Sequence, residues 1–215
     1  DLLLVVSRVR ALHDFLALGD KAVEPLVSIL IDCRLRDPKG PAAGWAPAHA
    51  AQLLGQLSDV RSVEPLLDVL ATTNQLSPLR VAVEKALAPM GARLIVPILA
   101  RLPTAVDEYR RQLWSLLANA KVRDQRIFIQ LLGALAESPE QGAMYLAEYG
   151  DPAALPELSR AMDAYKISLT DDGDHPLFEL REAIQELGGM LTAAQQAKYE
   201  QALLACRIKV SAEME

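Results

Sequence analysis

Apolar residues recur at helical spacing along most of the chain, and one cluster returns repeatedly. DKAVEPLVSIL begins at Asp20, VRSVEPLLDVL at Val60, ARLIVPILARL at Ala92 and DPAALPELSRAM at Asp151. Within these clusters Val23, Leu26 and Leu30, then Val63, Leu66 and Leu70, mark the buried face of a helix. Pro25, Pro65, Pro97 and Pro156 lie 40, 32 and 59 residues apart. The last gap holds two units: KVRDQRIFIQLLGAL from Lys121 supplies the missing one, with Ile127 in the proline slot. Proline suits a first helical turn, where its missing N–H would have had no partner. Glu24 and Glu64, just before it, place negative charge at the positive end of the helix dipole. Self-similarity of this kind is the signature of stacked repeats.

Between the clusters the pattern predicts first helices that pair with the proline-bearing second helices. Leu2 to Leu18 pairs with Val23 to Asp32, Ala46 to Leu57 with Ser62 to Leu70, and a helix from Ser77-Pro78 with Leu94 to Leu102. A helix opened by Pro103-Thr104 pairs with Asp124 to Ala136, and Glu140 to Tyr149 with Ala154 to Lys166. Cys33 to Gly44, CRLRDPKGPAAG, reads as a loop inserted in the first interval. After Lys166 come a polar loop, ISLTDDGDHP, a helix over Leu177 to Leu187, and a last helix through about Val210. Thr192 and Gln195 form a capping-box pair for the last helix. The last two helices are expected to cap the open end of the stack, whose apolar face must be covered.

LLGQLSDVRSVEPLL, from Leu53, resembles the HEAT-like repeat of the phycobilin-lyase type. The shared features are an Ala-rich first helix, a Leu-Gly-x-Leu turn and a Val-Glu-Pro-Leu second helix. The resemblance covers roughly Leu16 to Ala161, strongest in the second unit and weakest in the fourth. It implies an all-α, armadillo-like fold: a right-handed α-solenoid of about five HEAT-like helical hairpins with second helices on the concave side. The expected organisation is a solenoid over 1–166, then an acidic loop and C-terminal capping helices over 167–215, in one continuous domain. The wider family includes chromophore lyases and adaptors, so the resemblance carries little about activity.

Composition changes this picture only in detail. Apolar residues make up 51% of the chain and aromatics only 5%, so leucine and alanine must do the packing. No uninterrupted apolar run approaches the ~20 residues that span a bilayer, and DLLLVV is shorter than a signal-peptide core. Cys33 and Cys206 lie far apart, which argues against a disulfide framework and for a reducing cytoplasm. The net charge is −6, a poor match to phosphate backbones. The charge is uneven: residues 80–126 hold nine basic and four acidic side chains, while 137–186 hold three basic and twelve acidic.

The chemical motifs are sparse. The sequence has no Gly-rich phosphate fingerprint, no His-Glu-x-x-His and no Gly-x-Ser-x-Gly. The DDGDH run holds Asp171, Asp172, Asp174 and His175, which either ligate a hard cation or serve turn and cap formation. Cys33 with His13 or His49 makes a nucleophile pair only if the insert folds back. Tyr145 and Tyr149 share a helix face, where they either fill the seam between the fourth and fifth repeats or anchor a peptide. Trp114, among leucines, reads as core.

The functional expectation is a non-enzymatic scaffold or adaptor that binds a protein or peptide, with no cofactor, no metal and no membrane. The alternatives are a bilin lyase or lyase subunit, suggested by the repeat type, and a nucleic-acid binder using the basic middle. Residues one before and three after each proline slot should face away from the core: Glu24 and Ser28, Glu64 and Asp68, Val96 and Ala100, Arg126 and Gln130. Lys21, Arg61, Arg93 and Arg123, four before the slot, would form a basic ridge, read either as helix-end contacts or as a binding feature. The candidate partner-binding residues are therefore Glu24, Glu64, Asp68, Arg93, Arg123, Arg126, Gln130 and Trp45. Trp45 either staples the start of its helix or joins the Cys33–Gly44 insert in a binding element. Reversing Arg93, Arg123 and Arg126 is expected to weaken a partner while leaving stability little changed.

Overall fold

The computed structural model describes residues 17–37, 39, 44–74, 76–167 and 176–213, and among them all regular structure is helical. All but the last two residues of the expected helix over Leu2 to Leu18, with His13, lie outside the described residues, as do the DDGDH run and the middle of the insert. The α-helices are α1 (Val23–Ile31), α2 (Ala46–Leu57), α3 (Val63–Thr72), α4 (Pro78–Leu87), α5 (Ile95–Arg101) and α6 (Asp107–Ala118). They continue with α7 (Gln125–Glu137), α8 (Pro139–Tyr149), α9 (Leu155–Ala164), α10 (Pro176–Glu186) and α11 (Ala193–Glu213).

Two compact units divide the chain, Asp1–Val122 and Arg123–Glu215. The division falls in the non-helical residues 121–124, where Lys121 takes a left-handed φ of 55°. In the second unit α10 packs on both α8 and α9, so the expected cap shares a core with the fifth hairpin. In the first unit α2 packs on α1 and α4, and α1 also touches α3.

The second helices begin alike. Each of α1, α3, α5 and α9 follows a 3-10 turn, which places the proline on the third residue of α1, α3 and α5 and on the second of α9. Leu26, Leu30, Leu66, Leu70, Ile98, Leu102, Ile127 and Leu131 are all buried. After Pro25, Pro65 and Pro97 they lie one and five positions on, as the repeat predicts, whereas in α7 the buried Ile127 and Leu131 lie on the slot and four after it and Phe128 and Leu132 are only half-buried, so the expected register of the fourth unit shifts by one. Three starts use side chains as caps: Ser77 accepts from Leu79 N–H, Asp124 from Arg126 N–H, and Ser138 from Gln141 N–H. The capping box holds, with Gln195 N–H donating to Thr192 Oγ1 at 3.2 Å and Thr192 N–H to Gln195 Oε1 at 3.0 Å.

One further expectation changes. Pro103 and Thr104 do not open a helix; they form a 3-10 turn that closes the preceding one, and α6 starts after the extended Val106. Asp107 and Glu108 then pair with Arg110 and Arg111 one turn on, at 2.6 and 2.5 Å. By length and composition Pro78–Thr104 would pass as an apolar span. It is not one rod, because Gly91 breaks it at φ 53°, ψ −122°, a conformation open essentially to glycine.

Candidate partner-binding surface

The surface begins with a local turn that the sequence repeats three times. Asp32-Cys33-Arg34, Asp59-Val60-Arg61 and Asp124-Gln125-Arg126 each place an aspartate just before a helical turn. The carboxylate accepts the backbone N–H of the residue two on, and the same arginine folds back onto it. The Nη2–Oδ2 distances are 2.7, 2.8 and 2.7 Å. These bonds, side-chain first and backbone second, hold the Asp32 and Asp59 carboxyls down to about 2 and lower that of Asp124. Arg126, expected to offer its charge to a partner, is thus already engaged with Asp124.

The arginines four before the slot are engaged too, but in a different way. Arg61 Nη2 donates to Asp20 O at 3.1 Å and Arg93 Nη1 to Ser58 O at 2.9 Å, each reaching back to the turn of the preceding repeat. Arg123 reaches forward, with Nη1 on Tyr149 O at 2.5 Å and Nη2 on Gly150 O at 2.6 Å. Its guanidinium lies 4.8 Å from the centre of the Tyr149 ring. Ser58, Tyr149 and Gly150 stand at helix ends, whose carbonyls lack partners within their own helix, and Arg93 and Arg123 supply them from the adjacent repeat. Arg93 and Arg123 of the expected ridge therefore make helix-end contacts. Reversing Arg93 and Arg123 would strip those carbonyls of their partners, so the expectation of unchanged stability is revised.

The second-helix row of the first unit has the predicted orientation. Glu24 and Ser28, Glu64 and Asp68, and Val96 and Ala100 are all exposed on α1, α3 and α5. Arg101 spans two of these helices, pairing with Glu64 and, at 2.5 Å, with Asp68. The Arg101 side chain is 22% exposed, whereas those of Glu64 and Asp68 are 56% and 69% exposed. The cation is held underneath and the carboxylates stay on the surface. Glu24 meets Arg61 only at 3.9 Å. Beside the row Tyr109 donates its O–H to Leu67 O at 3.2 Å. Burial raises its phenol, with the Asp68 and Glu64 charges adding to that and Arg101 opposing them. In the second unit Gln130 is half-buried.

Tyr149 fills the seam between α7 and α8: its hydroxyl accepts from Asp124 N–H at 2.9 Å, and its ring lies 6.3 Å from that of Phe128. Trp114 is buried. Trp45 is 50% exposed and stacks on His49 at 6.2 Å, one turn into α2. His49 Nδ1 faces Gln52 Oε1 at 3.5 Å.

Sequence reasoning missed Arg80 and Arg101. Arg80 is buried on α4, donating Nε to Glu84 Oε1 at 2.9 Å and Nη1 to Thr73 O at 3.2 Å. The i,i+4 spacing to Glu84 was a readable sign, but nothing local marks it as buried. Arg101 is one position after an outward residue and has no sequence neighbour that announces its partners. The chain matches no family model and no curated protein.

Proposed function

We propose that this chain is a non-enzymatic protein-binding scaffold, in a HEAT-like right-handed solenoid, that receives a partner on the exposed face of its second helices. The observation that supports this reading is the repeated row on α1, α3 and α5. It places carboxylates at Glu24, Glu64 and Asp68 and small apolar groups at Val96 and Ala100 at equivalent positions of successive repeats. A row of this kind presents a graded surface to an extended segment. Its charges would set orientation and encounter rate more than affinity.

The test uses exposed residues, of which Glu24 alone has a charged contact, to Arg61 at 3.9 Å. Glu24→Lys, Val96→Glu and Ala100→Glu are combined, and the tagged variant and wild type are compared in a pull-down from native lysate, with melting temperature alongside. Surface changes of this type cost within about 0.5 kcal/mol each. Loss of a partner that wild type retains, from a variant that melts normally, is the expected result. Equal recovery would rule out this face.

A further inference from the structure

We propose that a cleft beside Trp45, in the first unit and away from the second-helix row, binds a small organic anion with a planar apolar body and a carboxylate or phosphate end. The cleft encloses about 380 Å³ and is lined by Arg36, Trp45, Asn74, Ser77 and Leu79, among others. Its volume lies within the range of small-ligand sites, roughly 300–1,000 Å³.

Three features set its chemistry. First, among the described residues the lining holds a cation and no carboxylate. Arg36 is half-buried, and its Nε is shut off from solvent without a hydrogen-bond partner. Leaving a guanidinium N–H desolvated and unpaired is costly, and an anion in the cleft would remove that cost. The neighbouring arginines of the insert and of α4 differ: Arg34 is tied to Asp32 and Arg80 to Glu84.

Second, two polar groups of the lining keep donors free, Asn74 and Ser77, whereas the Thr72 and Thr73 hydroxyls already donate to carbonyls of α3. Asn74 commits its Oδ1 to Leu76 N–H at 3.1 Å, which leaves its amide NH2 to donate. Ser77 Oγ accepts from Leu79 N–H at 3.2 Å, which leaves its O–H to donate. Ser77 is also the cap of α4, a helix of 10 residues, so the positive end of its dipole faces the same space. Third, the half-exposed Trp45 offers a ring, backed by His49, against which a planar group stacks; Leu79 and Pro78 extend the apolar wall. The anion end belongs with Arg36, Asn74 and Ser77, and the planar body with Trp45.

Phenyl phosphate and benzoate are the probes, with benzylamine as a cation of similar size and shape. Tryptophan fluorescence is followed on titration of each to about 10 mM. One or both anions should give a saturable change, and benzylamine should not; the stronger anion assigns the end group to phosphate or carboxylate. Trp45→Phe should abolish the signal, because the remaining Trp114 is buried. Arg36→Ala should weaken the anion roughly tenfold or more, and Arg36→Lys should restore part of it. The proposal is overturned if neither anion saturates, if benzylamine binds equally, or if a folded Arg36→Ala binds as wild type does. The anion–cation contrast in wild type decides the matter even if the Arg36 variants fail to fold.

Discussion

Two stretches carry the same letters and lead different lives. Leu53-Leu54-Gly55 in α2 and Leu131-Leu132-Gly133 in α7 are both Leu-Leu-Gly followed by one residue and a leucine. In α2 all three are buried, and a Cβ on Gly55 would lie 2.6 Å from Ala86 Cα on α4. In α7 Leu131 is buried, Leu132 half-buried and Gly133 exposed, and a Cβ there would meet nothing. The reason is packing. α2 is a first helix with α1 on one side and α4 on the other, so its small residue sits where two helix backbones approach. In α7 the tight approach to a neighbour occurs elsewhere, at Gly142 of α8, whose Cβ would fall 2.2 Å from Leu135 Cα. A motif thus reports a helix, and its neighbours decide which letter matters.

The comparison can be broken most directly at the leucines. Leu54→Ala should cost about 2–5 kcal/mol, because Leu54 has no exposed surface, and Leu132→Ala clearly less. Chemical denaturation of the two variants measures the gap, and equal losses would mean the two helices are packed alike. Next in size is Gly55→Ala. The added methyl must push α4 backbone, so a loss of about 1–3 kcal/mol is expected.

The sign should reverse at the other glycine. Gly133→Ala should stabilise by about 0.4–1 kcal/mol, since alanine favours an open helical position. A destabilised Gly133→Ala would show that α7 has a close neighbour at that position.

The arginines sharpen the contrast between the units. Arg123→Ala deprives two carbonyls and an aromatic face of a partner, Arg93→Ala only one carbonyl. Losses of about 1–2 and under about 1 kcal/mol follow, allowing for solvent exposure. Similar melting temperatures for the two would contradict that ordering.

The smallest expected effect is on pH. The Asp59 carboxyl is held at about 2, below its ordinary 3.8, by Arg61. A depressed carboxyl contributes stability fully above its unfolded value and loses it as pH falls through the folded one. The difference in melting temperature between wild type and Asp59→Asn should therefore shrink between about pH 4 and pH 2. A constant difference over that window would remove the Asp59–Arg61 pair from the account.

Helix periodicity, the proline slot and the caps were legible in the sequence because each depends on residues within one or two turns. That is why α2 was placed at Ala46–Leu57 and why Leu26, Leu30, Leu66 and Leu70 were assigned to the core. The outward direction of Glu24, Glu64 and Asp68 followed from the same 3.6-residue geometry. What only the tertiary structure decided depends on separations of tens of residues. Arg101 meets Glu64 37 residues away, Arg93 meets Ser58 35 away, and Arg123 turns forward to Tyr149 rather than back. No local pattern encodes such choices, because an arginine's long side chain can satisfy any carbonyl or carboxylate within reach. Which one it finds is set by how the helices pack.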